Sequence, residues 1–321
     1  MKATAVAHPI QGLIKYHGLR DLKARIPYHD SISVCIEALT TTTTVEPLPE
    51  LKKNDILING RKTAAQETKR IETVIDKLKE LASFSGGFKI VSENSLTTGK
   101  GLGFSASAFA ALGLATCNAL DLKLPKDQLS EIVRLGAGSS TRSLAGGFSI
   151  WYADKNGKSY AEQLQADENM DFSMVIVPIQ SNVRTDEAHA EVLSSPLFQA
   201  RLRNIDSLLE KMKIAISEGD SSTIGKLAEE DTLNLHAITM TGSSHMVLWE
   251  PDTLRIMKEI INIREQGTWA YYSMDTGPSV FVNTCKANVE SIVERFNDRG
   301  YDNAIVSAVG GKPFLTGNHL F

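Results

Sequence analysis

The hydrophobic and polar positions of this chain follow two different periods. Residues 2–7, 31–36, 40–45 and 55–60 alternate or concentrate β-branched side chains, which is typical of strands. Over residues 64–83 the apolar positions recur every three to four residues, which predicts an amphipathic helix. We expect the threonine-rich strand at 40–45 to lie at a sheet edge, with residues 55–60 as its hairpin partner.

The same two patterns continue to the end of the chain and give a mixed order of elements. The predicted strands cover residues 88–92, 148–152, 174–178, 270–274, 280–282 and 303–309, and the predicted helices cover 105–120, 127–136, 195–217, 221–236, 251–265 and 285–299. This order predicts an α+β fold in which helices pack on one face of the sheets.

Composition narrows the class of protein. The chain has 321 residues, of which 42% are hydrophobic and 22% charged, and its net charge is −4. No basic excess favours nucleic acid or a membrane surface as a partner, and no run of about 18 apolar residues could span a bilayer. Cys35, Cys117 and Cys285 lie far apart without zinc-binding spacing, which favours reduced thiols and a cytoplasmic location.

A glycine-rich turn precedes the helix predicted at 105–120. Its sequence runs Lys100-Gly101-Leu102-Gly103-Phe104-Ser105-Ala106-Ser107. A glycine turn that opens a helix leaves backbone N–H groups free at the positive end of the helix dipole, which suits a phosphate. Lys100, Gly101, Gly103, Ser105 and Ser107 are therefore candidate phosphate-binding residues, although the same pattern also occurs where a helix is only closely packed.

Two further polar segments suit an anionic ligand. Residues 138–147 combine Ser139, Ser140 and Arg142 with glycines, and residues 8–21 concentrate histidine, lysine, tyrosine and arginine side chains between two glycines. The second segment could equally be a solvated loop. We do not interpret its histidines as metal ligands, and the sequence predicts no metal site.

Taken in order, these motifs resemble the GHMP kinase superfamily, and within it the mevalonate-pathway decarboxylases related to diphosphomevalonate decarboxylase. Residues 15–21, KYHGLRD, are similar to the family's KYWGKRD, and residues 142–151, RSLAGGFSIW, to its RSLxGGF…W. The pair at 236–237 matches the family's HA, and MDTGP at 274–278 its FDAGP. The archaeal-type enzymes for phosphomevalonate or bisphosphomevalonate are the nearest branch.

The resemblance implies a two-lobed fold with the active-site cleft between the lobes. It predicts an N-terminal lobe with the phosphate loop at 1–178 and a C-terminal lobe at 179–321; homodimers are common in the family. Asp275 matches the catalytic aspartate, Lys15 the lysine that pairs with it, and Arg142 the arginine that holds the substrate. Other residues implied to contact the substrate are Tyr16, His17, Ser139, Ser140 and, less directly as a polar partner of the aspartate and lysine, Thr239.

Departures from the family pattern bear on the substrate. The family has tryptophan and lysine where this chain has His17 and Leu19, and the lost cation favours a monophosphate at that end. In the phosphate loop, Thr97 replaces a proline and Phe104 a serine, which predicts weak ATP binding.

The leading hypothesis is therefore a decarboxylase of mevalonate 3,5-bisphosphate that yields isopentenyl phosphate, CO₂ and phosphate without ATP or another cofactor. The alternatives are an ATP- and Mg-dependent decarboxylase of mevalonate 5-phosphate or 5-diphosphate, and a non-catalytic ligand-binding protein of the same fold. A small-molecule kinase is disfavoured by Phe104.

Overall fold

A computed structural model describes residues 1–97, 101–180 and 185–321 of the chain. The predicted phosphate-binding residue Lys100 lies outside the described residues. The strands are β1 Ala3–Ala7, β2 Ile10–Ile14, β3 Leu19–Asp21, β4 Ile26–Pro27, β5 Ser31–Cys35, β6 Thr41–Leu48, β7 Asp55–Ile58, β8 Arg61–Lys62, β9 Gly87–Asn94, β10 Phe148–Trp151, β11 Ala161–Gln163, β12 Ser173–Val177, β13 Tyr271–Ser273, β14 Val280–Thr284, β15 Ile305–Ser307 and β16 Phe314–Thr316.

The helices alternate with these strands and confirm the mixed architecture. They are α1 Ala65–Ala82, α2 Phe104–Ala119, α3 Lys126–Arg134, α4 Ser140–Ala145, α5 Thr185–Glu191, α6 Phe198–Ser217, α7 Ser221–Met240, α8 Pro251–Glu265 and α9 Val289–Asn297. Across the described residues, none of these helices has the length and apolar character needed to cross a bilayer.

The first sheet has the strand order β16-β1-β6-β9-β7-β8. The threonine-rich strand β6 lies between β1 and β9, so the prediction of an edge strand was wrong. Its hydroxyls find partners there, because Thr43 pairs with Ser92 at 2.8 Å and Thr44 with Thr4 at 2.7 Å. The predicted hairpin was also wrong, since β7 pairs in parallel with β9 and forms its hairpin with β8.

The chain returns to this first sheet at its far end, which the sequence pattern did not predict. Strand β16 pairs antiparallel with β1, with Thr316 opposite Thr4. Helices α1, α2 and α3 pack their apolar positions, among them Ile75, Phe109 and Val133, in one core with β1, β6 and β9. Burial of apolar side chains in such a core is the main favourable contribution to the free energy of folding.

The remaining strands form two four-stranded antiparallel sheets, β11-β10-β5-β2 and β13-β14-β12-β15, and the two-stranded sheet β3-β4. Every position of β2, β5, β10 and β14 is buried, so both faces of these strands are covered rather than the single face predicted. A second apolar core joins Ile14 of β2 to Leu209 of α6, Leu227 of α7 and Phe281 of β14. Strand β2 therefore ends against α7 and β13, and this junction positions the candidate site.

Candidate active site

The predicted aspartate and lysine meet over Gly12 in the middle of β2. The Gly12 N–H donates to Asp275 Oδ1 at 3.1 Å. A Cβ atom at residue 12 would lie 2.8 Å from Asp275 Oδ1 and also 2.8 Å from Lys15 Cγ. Glycine is therefore required for both side chains to approach this point of the strand.

The ammonium of Lys15 is buried and donates to neutral oxygens. Lys15 Nζ lies 2.9 Å from Thr232 Oγ1 and 3.0 Å from Ser273 Oγ. Its ion pair is with Asp231 at 3.8 Å, not with Asp275. Burial lowers the pKa of Lys15, while the charges of Asp231 and Asp275 oppose that shift. Lys15 thus acts on Asp275 through its charge rather than through a direct ion pair within the described contacts.

Asp275 follows β13 and lies partly buried in the turn before β14. Burial raises the pKa of the Asp275 carboxyl to about 6, and the charges of Lys15 and Arg142 limit the rise. A carboxyl group with a pKa close to neutral can accept a proton at physiological pH, which is a property of general bases.

Arg142 carries a buried guanidinium whose Nε and Nη1 atoms have no hydrogen-bond partner among the described residues. Only 3% of the residue is exposed. Burial lowers the pKa of Arg142, and the nearby Tyr16 and Asp275 oppose this effect. Since a buried, unpaired donor is costly, this arrangement points to an anion as the missing partner.

The aromatic side of the site is formed by residues that follow β2. Tyr16 meets Trp151 edge to face at 4.8 Å and stacks on His189 at 4.8 Å, and Arg142 lies 5.5 Å from the Tyr16 ring. His17 is fully buried beside His189, and its burial lowers its pKa well below the usual value. The His17 imidazole is therefore neutral at physiological pH.

The glycine turn comes close to the Asp275 turn. A Cβ atom on Gly101 would lie 2.8 Å from the Gly277 Cα, and one on Gly103 would collide with the Ile10 carbonyl. Both glycines have positive φ angles, 80° and 72°. Backbone contact of this kind leaves no room for side chains and places the start of α2 beside Asp275.

The predicted serines of this turn divide into two groups. Ser105 is exposed in the first turn of α2 and is free to face a ligand. Ser107 is fully buried, and its hydroxyl pairs with Thr41 at 2.6 Å and donates to the Phe104 carbonyl. These contacts hold α2 against β6 and give Ser107 a structural role, while its role in phosphate binding stays a prediction.

A similar division holds at α4. Ser139 is partly exposed, whereas Ser140 is fully buried and donates to the Ala137 carbonyl at 2.6 Å. Ser140 is thus bonded to the protein at the start of α4, and its contact with a ligand stays a prediction. Gly138 admits the Trp151 ring, because a Cβ atom there would lie 2.6 Å from that ring and 3.1 Å from the Tyr16 hydroxyl.

The polar partner expected from Thr239 is supplied by other residues. Thr239 donates to the Leu235 carbonyl and lies 3.5 Å from His17 Nε2, so it faces the histidine rather than Lys15. Thr232 and Ser273 bind Lys15 instead. Thr232 lies seven residues before Thr239, which is two helical turns, so both threonines are on the same face of α7. This spacing is the signal in the sequence that could have identified Thr232.

Most of the polar segment at 8–21 is buried, and its residues Lys15, Tyr16 and His17 lie at the candidate site. His8 Nδ1 lies 3.0 Å from the Leu39 carbonyl, and the His8 carbonyl accepts from Ser143. These two hydrogen bonds connect His8, which precedes β2, to Leu39 and to Ser143 of α4. Arg20 and Asp21 are exposed.

The described residues hold no group of three or more His, Cys, Asp or Glu side chains arranged for a metal ion. Ser105 beside the turn at Gly101 and Gly103 is exposed, whereas Phe104, the first residue of α2, contributes no hydroxyl and packs against the second apolar core. Binding of a phosphate group at this turn stays a prediction.

Substitution of Gly12 by alanine is expected to lower turnover by about a hundredfold, since displacement of reacting groups by about 1 Å has effects of this size. The new methyl group would displace Asp275 Oδ1 and Lys15 Cγ together. Steady-state kinetics would measure this, with Gly311→Ala as control because nothing lies within 4 Å of a Cβ there. Equal activity of the two variants would contradict the described geometry.

Family comparisons match nearly the whole chain. A family model described as the diphosphomevalonate decarboxylase-like N-terminal domain matches residues 7–161, and the mevalonate 5-diphosphate decarboxylase C-terminal domain matches residues 182–308. The phosphomevalonate decarboxylase of Haloferax volcanii is 40% identical over 97% of this chain and 96% of the relative. The mevalonate 3,5-bisphosphate decarboxylase of Thermoplasma acidophilum is 26% identical over 93% of this chain and 77% of the relative.

Solved structures match the fold over the same length. The mevalonate diphosphate decarboxylase of Staphylococcus aureus is 30% identical, with a TM-score of 0.93 over 98% of both chains. The mevalonate diphosphate decarboxylase of Enterococcus faecalis, for which mevalonate diphosphate-mediated ATP binding is described, is 27% identical with a TM-score of 0.92 over 99% of both chains.

Proposed function

Because the chain belongs to the diphosphomevalonate decarboxylase family, we propose that it decarboxylates mevalonate 5-phosphate to isopentenyl phosphate with ATP as the phosphoryl donor. The observation that carries this proposal is the convergence of Asp275, Lys15 and Arg142 around one point of β2, where two guanidinium nitrogens of Arg142 have no partner within residues 1–97, 101–180 and 185–321. These side chains supply the charged groups that would bind a phosphorylated hydroxy acid and act on its hydroxyl group.

Two observations favour a single phosphate at the 5-end. Leu19 is buried where the family pattern has a lysine, so that end lacks a cation. The Haloferax volcanii relative, a phosphomevalonate decarboxylase, is also more similar to this chain than the Thermoplasma acidophilum bisphosphate enzyme. The relatives therefore favour the 5-phosphate over the 3,5-bisphosphate that the sequence motifs placed first.

In the proposed reaction, Asp275 accepts the proton of the substrate's C3 hydroxyl while that oxygen bonds to the terminal phosphorus of ATP and ADP departs. The C3–O bond then breaks with loss of phosphate and leaves positive charge at C3. The C1–C2 bond breaks with loss of CO₂, and its electron pair becomes the C2=C3 double bond. The proton on Asp275 passes to solvent before the C3–O bond breaks, so the carboxylate is ionised again when positive charge develops at C3.

Each residue of the site has a physical task in these steps. The Asp275 carboxylate stabilises the positive charge at C3, because charge interactions strengthen where water is excluded. The Lys15 charge keeps that carboxylate ionised. Arg142 supplies two buried donors for the substrate carboxylate. Gly101, Gly103 and Ser105 would hold a phosphate group at the start of α2.

A second candidate is the ATP-independent decarboxylation of mevalonate 3,5-bisphosphate, and Phe104 favours it. A phenylalanine as the first residue of α2 replaces a hydroxyl donor of the superfamily loop and packs against the core. In that reaction the leaving phosphate arrives with the substrate, so neither ATP nor a proton acceptor at C3 is needed. The decarboxylation steps and the roles of Asp275 and Arg142 are otherwise the same.

Four reactions separate these candidates. Purified protein would be incubated with mevalonate 5-phosphate or mevalonate 3,5-bisphosphate, each with and without Mg-ATP, and CO₂ release would be measured. We expect release from the 5-phosphate only with ATP. Release from the bisphosphate without ATP, and none from the 5-phosphate, would establish the second candidate. Absence of release from both, with ligand binding retained, would indicate a non-catalytic binding protein.

The substitution Leu19→Lys is expected to increase the use of mevalonate 5-diphosphate relative to 5-phosphate by about tenfold, which corresponds to one added charge interaction. The measurement is the ratio of kcat/KM values for the two substrates. Leu22→Lys is the matched control, because Leu22 is three residues away and 76% exposed. An unchanged ratio in Leu19→Lys would remove the basis for assigning a monophosphate.

We also propose that the two lobes predicted at 1–178 and 179–321 enclose the substrate, with β12 and β16 each pairing in a sheet of the other lobe. The fact that β2 and β14 share one apolar core supports tight contact between these parts. Association into a homodimer stays a prediction.

A further inference from the structure

Both backbone groups of Lys15 are held by buried charged side chains from neighbouring helices. Lys15 follows β2, where the strand pairing with β5 has ended. Its N–H donates to Asp231 Oδ2 of α7 at 2.9 Å, and its carbonyl accepts from Arg201 Nη2 of α6 at 2.5 Å. The two charged side chains thus supply the backbone partners that a sheet would otherwise provide.

Asp231 and Arg201 also form an ion pair with each other, 2.9 Å apart, and Asp231 is completely buried. A second nitrogen of Arg201 donates to Asn234 Oδ1 at 2.7 Å. Buried ion pairs contribute little net stability, because removing two charges from water offsets much of their attraction. Stability alone therefore does not account for a pair buried at this point, 3.8 Å from the Lys15 ammonium.

We propose that the Arg201–Asp231 ion pair is a positioning device that fixes the backbone of Lys15 and sets the charge of its ammonium. The pair belongs to the reaction site without touching the substrate. This inference rests on the proposed function only for the step from the charge of Lys15 to turnover.

Four charged side chains act on the Lys15 ammonium. Asp231 and Asp275 favour the ammonium form, whereas Arg201 and Arg142 oppose it. On α7, burial lowers the pKa of His236 to about 3, and the nearby charge of Lys15 lowers it further. The imidazole of His236 is therefore neutral, and the balance at Lys15 depends on two anions and two cations.

This balance gives the two members of the pair opposite effects. Asp231→Asn keeps an oxygen acceptor for the Lys15 N–H but removes the closest negative charge, so the pKa of Lys15 should fall. Arg201→Gln removes an opposing cation and leaves Asp231 free to attract Lys15, so the pKa of Lys15 should rise. Loss of packing alone would not move the pKa of Lys15 in opposite directions in these two variants.

The test is a side-chain NMR titration of the protein labelled with ¹³C-lysine, in which the Lys15 resonance is identified by its loss in Lys15→Met. We expect the pKa of Lys15 to move by about one unit, down in Asp231→Asn and up in Arg201→Gln. Glu229→Gln is the control, because Glu229 lies on the same helix but pairs with Arg264 at 3.0 Å. That variant should leave the pKa unchanged.

The pH profile of kcat/KM provides the second readout. Its alkaline limb should shift in the same direction as the pKa of Lys15 in each variant. An unchanged pKa in both variants, or a shift in the same direction in both, would overturn the proposal, as would an alkaline limb that does not follow. Failure of the unmodified protein to release CO₂ would refute the proposed function instead, and the titration would still decide whether the pair sets the charge.

Discussion

Asp275→Asn is expected to lower turnover by at least about a thousandfold, the scale on which loss of a catalytic base and a charge-stabilising group acts. Asparagine has the same shape, and its amide oxygen can still accept from the Gly12 N–H. It can neither take the C3 hydroxyl proton nor carry the negative charge that faces C3. The fold should therefore persist while the reaction is lost.

The pH dependence of the unmodified protein follows from the same group. Because burial raises the pKa of Asp275 to about 6, the carboxylate form is present above that pH and is lost as the pH falls through it. The acid limb of kcat/KM should therefore lie near pH 6 and be absent from the residual activity of Asp275→Asn. Asp252→Asn is the control, since Asp252 forms an exposed ion pair with Arg255. Activity of Asp275→Asn within about tenfold of the control would exclude a role as base.

Arg142→Met is expected to lower kcat/KM by about 10² to 10⁴-fold, because a bidentate contact to the substrate carboxylate is lost. The same substitution should raise the free energy of unfolding by about 1–3 kcal/mol, since the buried guanidinium has donors that find no partner in the described part of the chain. Loss of activity together with a gain in stability is characteristic of residues kept for function.

Arg134 provides the matched comparison for stability. It is also buried, but its Nε donates to the Ala24 carbonyl at 2.9 Å and its Nη1 to the Ser159 carbonyl. Arg134→Met should therefore lower the free energy of unfolding, in contrast to Arg142→Met. Urea denaturation of the two variants measures this difference. A decrease of similar size in both would mean that Arg142 is satisfied by the protein itself.

The sequence predicted those site residues whose side chains have a single characteristic chemical role. Asp275, Lys15 and Arg142 belong to compact motifs, and the structure brings them together at β2. Serine hydroxyls are less informative, because they serve a ligand or a local carbonyl equally well. Ser107 and Ser140 have protein partners, and only the burial of their side chains reveals it.

The burial of Asp231 and its ion pair with Arg201 were not predicted from the sequence. It ends a run of three acidic residues that is typical of a solvated helix face, yet Glu230 is exposed and Asp231 is buried. Helical spacing places Asp231 on the same face as Leu227 and Leu235, which was the available signal. Its partners Lys15 and Arg201 are far away in the chain, so the ion pair follows from the packing of α6 and α7 against β2.

The order of the strands in the first sheet was also not predicted correctly from the sequence. The run of β-branched residues identified the threonine strand, but the edge position was wrong because threonine hydroxyls can pair with hydroxyls of neighbouring strands inside a sheet. Strand β16 was missed because it has only three residues and its partner β1 lies at the other end of the chain.

The most direct test of the proposed function is the stoichiometry of products from mevalonate 5-phosphate and Mg-ATP. CO₂, ADP and isopentenyl phosphate would be quantified in the same sample, with Asp275→Asn as the reference. The proposal predicts equal amounts of all three from the unmodified protein and almost none from the variant. Formation of ADP without CO₂ would identify a kinase, and absence of both would contradict the assignment of mevalonate 5-phosphate as the substrate.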